Sequence, residues 1–151
     1  MALSPGTPAP NFTLLATPDQ SLSLSEIGGP VVLIFYPADW SPVCGDELTM
    51  FEAASQLFQK HDAQLIGISV DGAWSHTAFR AEHKIEFPLL ADFHPKGATA
   101  RAYDVYDDKD GICERALFVI DRGKKIAWSY VSPVGVSPGA DGALNAVEAL
   151  S

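Results

Sequence analysis

The chain has 151 residues, 47% hydrophobic and 19% charged, which suits one domain with a real core; residues 1–151 are expected to fold as a single unit. Ten Lys and Arg against nineteen Asp and Glu give a net charge of -9, so no basic footprint exists for phosphate backbones or anionic lipid, and nucleic acid and membranes are disfavoured as partners. Two cysteines, Cys44 and Cys113, are too few for a disulfide scaffold and form no paired-thiol zinc knuckle. Either acts, if at all, through reactivity.

The opening stretch, rich in proline, carries neither a basic region nor a continuous apolar run of the kind a signal peptide needs. The longest strongly apolar run, Val31 to Tyr36, is far short of the roughly twenty residues that cross a bilayer as a helix. A cytoplasmic, reducing location is the expectation.

In chain order, residues 11–16 suit a strand and residues 21–24 a short alternating segment, ended by Gly28, Gly29 and Pro30. Val31-Val-Leu-Ile-Phe-Tyr36 is β-branched and aromatic without alternation, the composition of a central strand covered on both faces. Beyond Pro42, Leu48, Phe51, Ala54 and Phe58 recur at helical spacing, which predicts one amphipathic helix to about Lys60. A second buried strand at 64–70, a helix at 74–83, an extended piece at 87–90 and a short helix at 96–103 follow. Strands at 115–120 and 125–131 flank Asp121-Arg-Gly-Lys124, which suits a hairpin, and a last helix runs from 141 to 150. The early strand-helix-strand order implies parallel pairing and the late hairpin antiparallel pairing, hence an α/β fold with a mixed sheet and helices on both faces.

The segment between the most apolar strand and the longest helix carries the chemistry. Ser41 is a good N-cap and Pro42 a natural first helical residue, so Cys44 falls in the first helical turn. Unsatisfied N–H groups and the positive end of the helix dipole favour an anion there, and a thiolate is one. For any thiol, a pKa lowered to about 6 raises the thiolate fraction at pH 7 roughly thirtyfold but forfeits roughly tenfold of intrinsic nucleophilicity. A fast cysteine therefore also needs its substrate positioned and its leaving group stabilised.

Cys113 lies in the acidic loop Asp107-Asp-Lys-Asp-Gly-Ile-Cys113, a context that predicts exposure. Arg115 is either a solvent arginine or a guanidinium beside Cys44. Gly67-Ile-Ser-Val-Asp71 misses the nucleophile elbow, because Asp71 stands where glycine is required. The Asp107 loop lacks the calcium-loop register and reads as a solvated turn. His61, His76, His83 and His94 show no metal-ligand pairing and read as surface or structural residues, so neither metal nor cofactor is expected.

Pro37-Ala-Asp-Trp-Ser41-Pro-Val-Cys44 resembles the Pro-x-x-x-Thr/Ser-x-x-Cys signature of the peroxiredoxins, the alkyl hydroperoxide reductase and thiol-specific antioxidant family. Glu47, Ser69-Val-Asp71 and Arg115 at the start of Ala-Leu-Phe-Val-Ile-Asp121 extend the resemblance over most of the chain. It implies a thioredoxin-like fold and a thiol peroxidase in which Cys44 is the peroxidatic residue, oxidised to a sulfenic acid. By the same resemblance Ser41 hydrogen-bonds the peroxide, Arg115 holds thiolate and oxyanion, Pro37 shields the sulfur, and Glu47 orients the arginine.

Trp40-Ser-Pro-Val-Cys44 also resembles the thioredoxin Trp-Cys-x-x-Cys with Ser41 in place of the first cysteine, which argues against ordinary disulfide exchange. Thr49 stands where some subfamilies carry a resolving cysteine, so either an external thiol recycles the enzyme or Cys113 resolves it; the one-Cys route is favoured. A thioredoxin-like protein or a small thiol is the implied reductant, and a homodimer or higher homo-oligomer the implied assembly. The alternatives are a thiol-disulfide oxidoreductase or redox sensor of the same fold, and a noncatalytic binding module using exposed Trp40 and Trp74.

Overall fold

A computed structural model describes residues 2–150. Nine strands and five helices follow in chain order: β1 Thr13–Thr17, β2 Gln20–Ser23, β3 Val31–Phe35, α1 Pro42–Ala53, α2 Ser55–Gln59, β4 Gln64–Ser69, α3 Ala73–His83, β5 Leu89–Ala91, α4 Ala98–Ala102, β6 Tyr106–Asp107, β7 Ile112–Cys113, β8 Arg115–Ile120, β9 Ile126–Ser132 and α5 Asp141–Glu148. Seven strands form one sheet in the order β2-β1-β5-β4-β3-β8-β9, and β6 and β7 form a separate hairpin. β3, β4 and β5 run parallel, while β8 and β9 are antiparallel to their neighbours, the mixed sheet expected from the order of elements.

The alternation of side chains along the strands divides the interior into two cores. Val32, Ile34 and Tyr36 point to one face with Leu65, Leu117 and Val119, beneath Leu48 and Phe51 of α1, Phe58 of α2, Phe79 of α3 and Val147 of α5. Val31, Leu33 and Phe35 point to the other face with Ile66, Ile68 and Phe118, covered by Phe12, Leu24, Ala100 and Tyr103. β3 is buried at every position, as its unbroken apolar run requires.

Two local expectations change. The helix read as continuous to Lys60 breaks at Ala54, where φ -92 and ψ 2 tighten the turn and the Ala54 N–H is shared between the Met50 and Phe51 carbonyls; its apolar spacing runs on across the break, which is why it read as one helix. Cys113, expected to be exposed, is fully buried. The acidic segment is a turn, with the Asp107 carboxylate accepting the Lys109 and Asp110 N–H groups. The chain then folds back through β7, pairs Cys113 with Tyr106, and delivers the thiol into the core beside Ala100, Tyr103 and Val105.

Candidate active site

The register brings three chain segments to one edge of the sheet. Phe35 at the end of β3 pairs with Ile68 of β4 on one side and Ala116 of β8 on the other, so Tyr36–Ser41, Ser69–Asp71 and Arg115 meet outside the carboxyl ends of the parallel strands. Open α/β sheets place their sites there.

Ser41 caps α1: its Oγ accepts the Cys44 N–H at 3.2 Å, with Pro42 in the first turn. Cys44 therefore sits in the first turn of α1, at the positive end of the helix dipole. Arg115, 1% exposed, reaches it from β8. Its guanidinium donates from Nη2 to Cys44 Sγ at 3.3 Å, from Nη1 to Glu47 Oε1 at 2.7 Å, and from Nε to the Val134 carbonyl at 2.9 Å. The inward reading of Arg115 is thus the correct one, and Glu47 stands one turn along α1 from the thiol, fixing the arginine.

Glu47 Oε2 is buried without a hydrogen-bond partner among the described residues. Burial pushes the carboxyl up from 4.5 to about 7, against the opposing pull of the Arg115 bond and charge. Cys113 belongs to the core on the opposite face of the sheet from Cys44. Burial, reinforced by the Asp92, Asp71 and Cys44 charges, raises its thiol far above the ordinary range. Both cysteines are free.

Several site residues escaped sequence reasoning. Val134 follows β9 in a stretch with no periodicity, and its backbone carbonyl rather than its side chain holds Arg115. A buried polar network lies behind the 37–41 loop. The Tyr36 hydroxyl donates to Asp39 Oδ1 at 2.7 Å, Ser75 Oγ donates to Asp39 Oδ2 at 2.8 Å, and His76 Nδ1 lies 2.8 Å from the same oxygen. Asp71 Oδ2 accepts the Asp39 N–H at 2.8 Å and the Ser69 hydroxyl at 2.5 Å. His76 was read as surface or structural; it is structural, and wholly buried. Burial and the adjacent Asp39 charge push the Tyr36 phenol well above its ordinary value. The one available signal was Asp39, a carboxylate two residues after Pro37 and close behind an apolar strand, where a buried charge must find partners.

A buried thiol, a hydroxyl capping its helical turn and a guanidinium aimed at the sulfur suit reduction of a small electrophilic oxygen compound. The known proteins that this chain resembles do that chemistry. The peroxiredoxin of Thermoplasma volcanium is 33% identical over 96% of this chain and 73% of its own length. Alkyl hydroperoxide reductase E of Mycobacterium bovis is 33% identical over 88% of each. Among solved structures, peroxidoxin BcpB from Mycobacterium tuberculosis superposes with a TM-score of 0.88 at 28% identity over 99% of both chains. AhpC from Enterococcus faecalis gives 0.88 at 27% identity, over 99% of this chain and 92% of its own. The model of the AhpC/TSA family matches residues 5–129, a span that takes in Pro37, Ser41, Cys44, Glu47 and Arg115, and the chain belongs to that family, a peroxiredoxin with a thioredoxin-like fold and thiol-dependent peroxidase activity.

Proposed function

We propose that Cys44 is the peroxidatic residue and is recycled by an external thiol. The Cys44 thiolate attacks the terminal oxygen of a hydroperoxide: an S–O bond forms, the O–O bond breaks, and sulfur gives up two electrons to become a sulfenic acid. The leaving hydroxide or alkoxide takes up a proton and departs as water or alcohol. The observation that carries this reading is the Arg115 Nη2 contact with Cys44 Sγ at 3.3 Å inside a buried site, where a charge-assisted hydrogen bond gains strength from the low dielectric.

The surrounding groups support the same step. Ser41 Oγ accepts from the Cys44 N–H, so its own proton is free to donate to the peroxide. Three N–H groups of Arg115 are engaged; those remaining can meet the developing oxyanion. Pro37 is buried at the head of the loop, consistent with a shield for the sulfur. Cys44 is 0% exposed, so peroxide entry requires the groups that cover it to move.

A first external thiol then attacks the sulfenic sulfur, releasing water and leaving a mixed disulfide, and a second thiol restores Cys44. The burial of Cys113 in the opposite core favours this route over an internal disulfide. A reducing cytoplasm would supply such a thiol. Trp40, Trp74 and Phe93 are 52%, 78% and 61% exposed, large apolar side chains of the kind that self-association into a homodimer or larger assembly would cover.

Stopped-flow mixing of the reduced protein with hydrogen peroxide tests the chemistry. Thiol loss at Cys44 should be several orders of magnitude faster than for free cysteine and absent in Cys44→Ser. A rate matching free cysteine, or undiminished turnover in the variant, would sink the reading.

A further inference from the structure

The 37–41 loop carries the buried Pro37 and the Ser41 hydroxyl that caps the Cys44 N–H, yet its backbone is unfavourable. Trp40 has φ 71, a left-handed conformation that costs a non-glycine residue on the order of 1 kcal/mol. Such a loop holds its shape only when its surroundings over-determine it. Asp39, immediately before Trp40, is the anchor, tied by its N–H to Asp71 and by its carboxylate to Tyr36, Ser75 and His76.

Both ring nitrogens of His76 are engaged. Its Nε2 lies 3.0 Å from the Leu90 carbonyl, which has no proton to give, so Nε2 carries one. Its Nδ1 lies 2.8 Å from Asp39 Oδ2. That carboxylate already accepts the Tyr36 and Ser75 hydroxyls, the environment of an ionised group. Donation from Nδ1 makes the pair imidazolium and carboxylate, whereas a protonated Asp39 donating to Nδ1 makes both neutral. Both side chains of the pair are 0% exposed, and a buried charge of either sign is tolerable only because its partner is present. The titratable groups facing the ring are Asp39 and Tyr36, with Asp71 held one bond away on the Asp39 N–H.

We propose that His76 is a positioning residue of the peroxidase: as a buried imidazolium braced on the Leu90 carbonyl, it locks Asp39 and through it sets the loop that places Pro37 and Ser41 against Cys44. The proposal rests on the peroxidase reading of Cys44. It assigns α3 and β5, neither of which touches the sulfur, a part in the rate of the reaction. Loss of the lock misplaces Ser41 by a fraction of an ångström or more, and misplacement of about 1 Å can cost on the order of a hundredfold.

Two measurements on the full chain test this. Nitrogen NMR of the His76 ring at neutral pH should show both nitrogens protonated in the reduced wild-type protein; one unprotonated nitrogen overturns the proposal whether or not any variant folds. Stopped-flow oxidation by hydrogen peroxide should slow by about ten- to a hundredfold in His76→Gln and Asp39→Asn. Alkylation of Cys44 by iodoacetamide, which needs neither Ser41 nor an aligned peroxide, should change by less than about threefold. Thr77→Ala, whose hydroxyl bonds only the Ala73 carbonyl of its own helix, should match wild type in both. Equal losses toward peroxide and iodoacetamide, or no loss toward peroxide, would refute the positioning role. A wild-type protein that fails to react with peroxide would refute the peroxidase reading instead and leave the ring assignment standing.

Discussion

One guanidinium serves two acidic groups, and that sharing sets the electrostatics of Cys44. Arg115 contacts the sulfur and Glu47 at once, so an ionised Glu47 competes with the thiolate for the same positive charge. Burial raises the Glu47 carboxyl from 4.5 to about 7, which means that the folded chain holds this proton more tightly than the unfolded chain does. The resulting stabilisation is fully present below about 4.5 and is lost as pH rises to about 7, since stability falls with pH wherever the native state binds more protons. Its size is at most about 3 to 4 kcal/mol, from roughly 1.4 kcal/mol per pH unit. Glu47→Gln removes the titration, so the unfolding free energy of wild type relative to the variant should fall steadily between pH 4.5 and 7 in denaturant titrations. A flat difference across that interval would mean that Glu47 is ionised throughout. Cys44, Ser41, Glu47 and Arg115 were legible because the first three lie within one stretch of chain whose cap and proline announce a helix start, and the fourth opens a recognisable strand. His76 and Val134 were not, because the His76 ring is paired with a carboxylate distant in the chain and Val134 contributes only its backbone carbonyl, neither of which leaves a mark on local sequence.

Among the elements, β4 links packing to chemistry through one glycine. Gly67 pairs with Ile34 on β3 and Leu89 on β5, and a methyl group there would lie 2.5 Å from Leu89 Cδ2 and 3.3 Å from the Tyr36 ring. The residue is small because Leu89 crowds it from β5, and the ring of Tyr36, whose hydroxyl lies on Asp39, presses on it next. Gly67→Ala should destabilise the fold by about 1–3 kcal/mol, the usual cost of overpacking a core, and should slow peroxide reduction as well, because displacing Tyr36 disturbs the Asp39 anchor. Urea unfolding and stopped-flow kinetics on the same variant separate the two effects; full stability together with full rate would show that the pocket gives way freely. The order and type of the main elements were readable because β3, β4 and β8 have the unbroken apolar composition of buried strands, and because Leu48, Phe51 and Phe58 mark the helical face above them. The short β6–β7 hairpin was not readable. Two-residue strands carry no periodicity, and the polar turn between them hides the inward direction of Cys113.

At the scale of the whole molecule, the sheet that joins the two cores also separates the two thiols. Cys44 packs with Leu48, Phe51 and Leu117 on one face, and Cys113 with Tyr103, Val105 and Phe118 on the other. A disulfide requires Cα atoms within about 7 Å and side chains directed at each other, so forming one here would demand that β7 leave its core or that α1 unwind at its first turn. Burial keeps Cys113 protonated, and a neutral thiol is a poor nucleophile toward a sulfenic acid. On the proposed route, the Cys44 sulfenic acid persists until an external thiol arrives. Intact-mass measurement after one equivalent of peroxide should show addition of a single oxygen, in wild type and in Cys113→Ala alike, and both proteins should turn over peroxide at similar rates with a small thiol or a thioredoxin-like reductant. Cys113→Ala should meanwhile cost about 1 kcal/mol in stability from the lost sulfur packing, so its effect would appear in unfolding and not in catalysis. Loss of two hydrogens in wild type, abolished by Cys113→Ala, would instead establish Cys113 as the resolving residue and require the two faces of the sheet to communicate through a large local rearrangement.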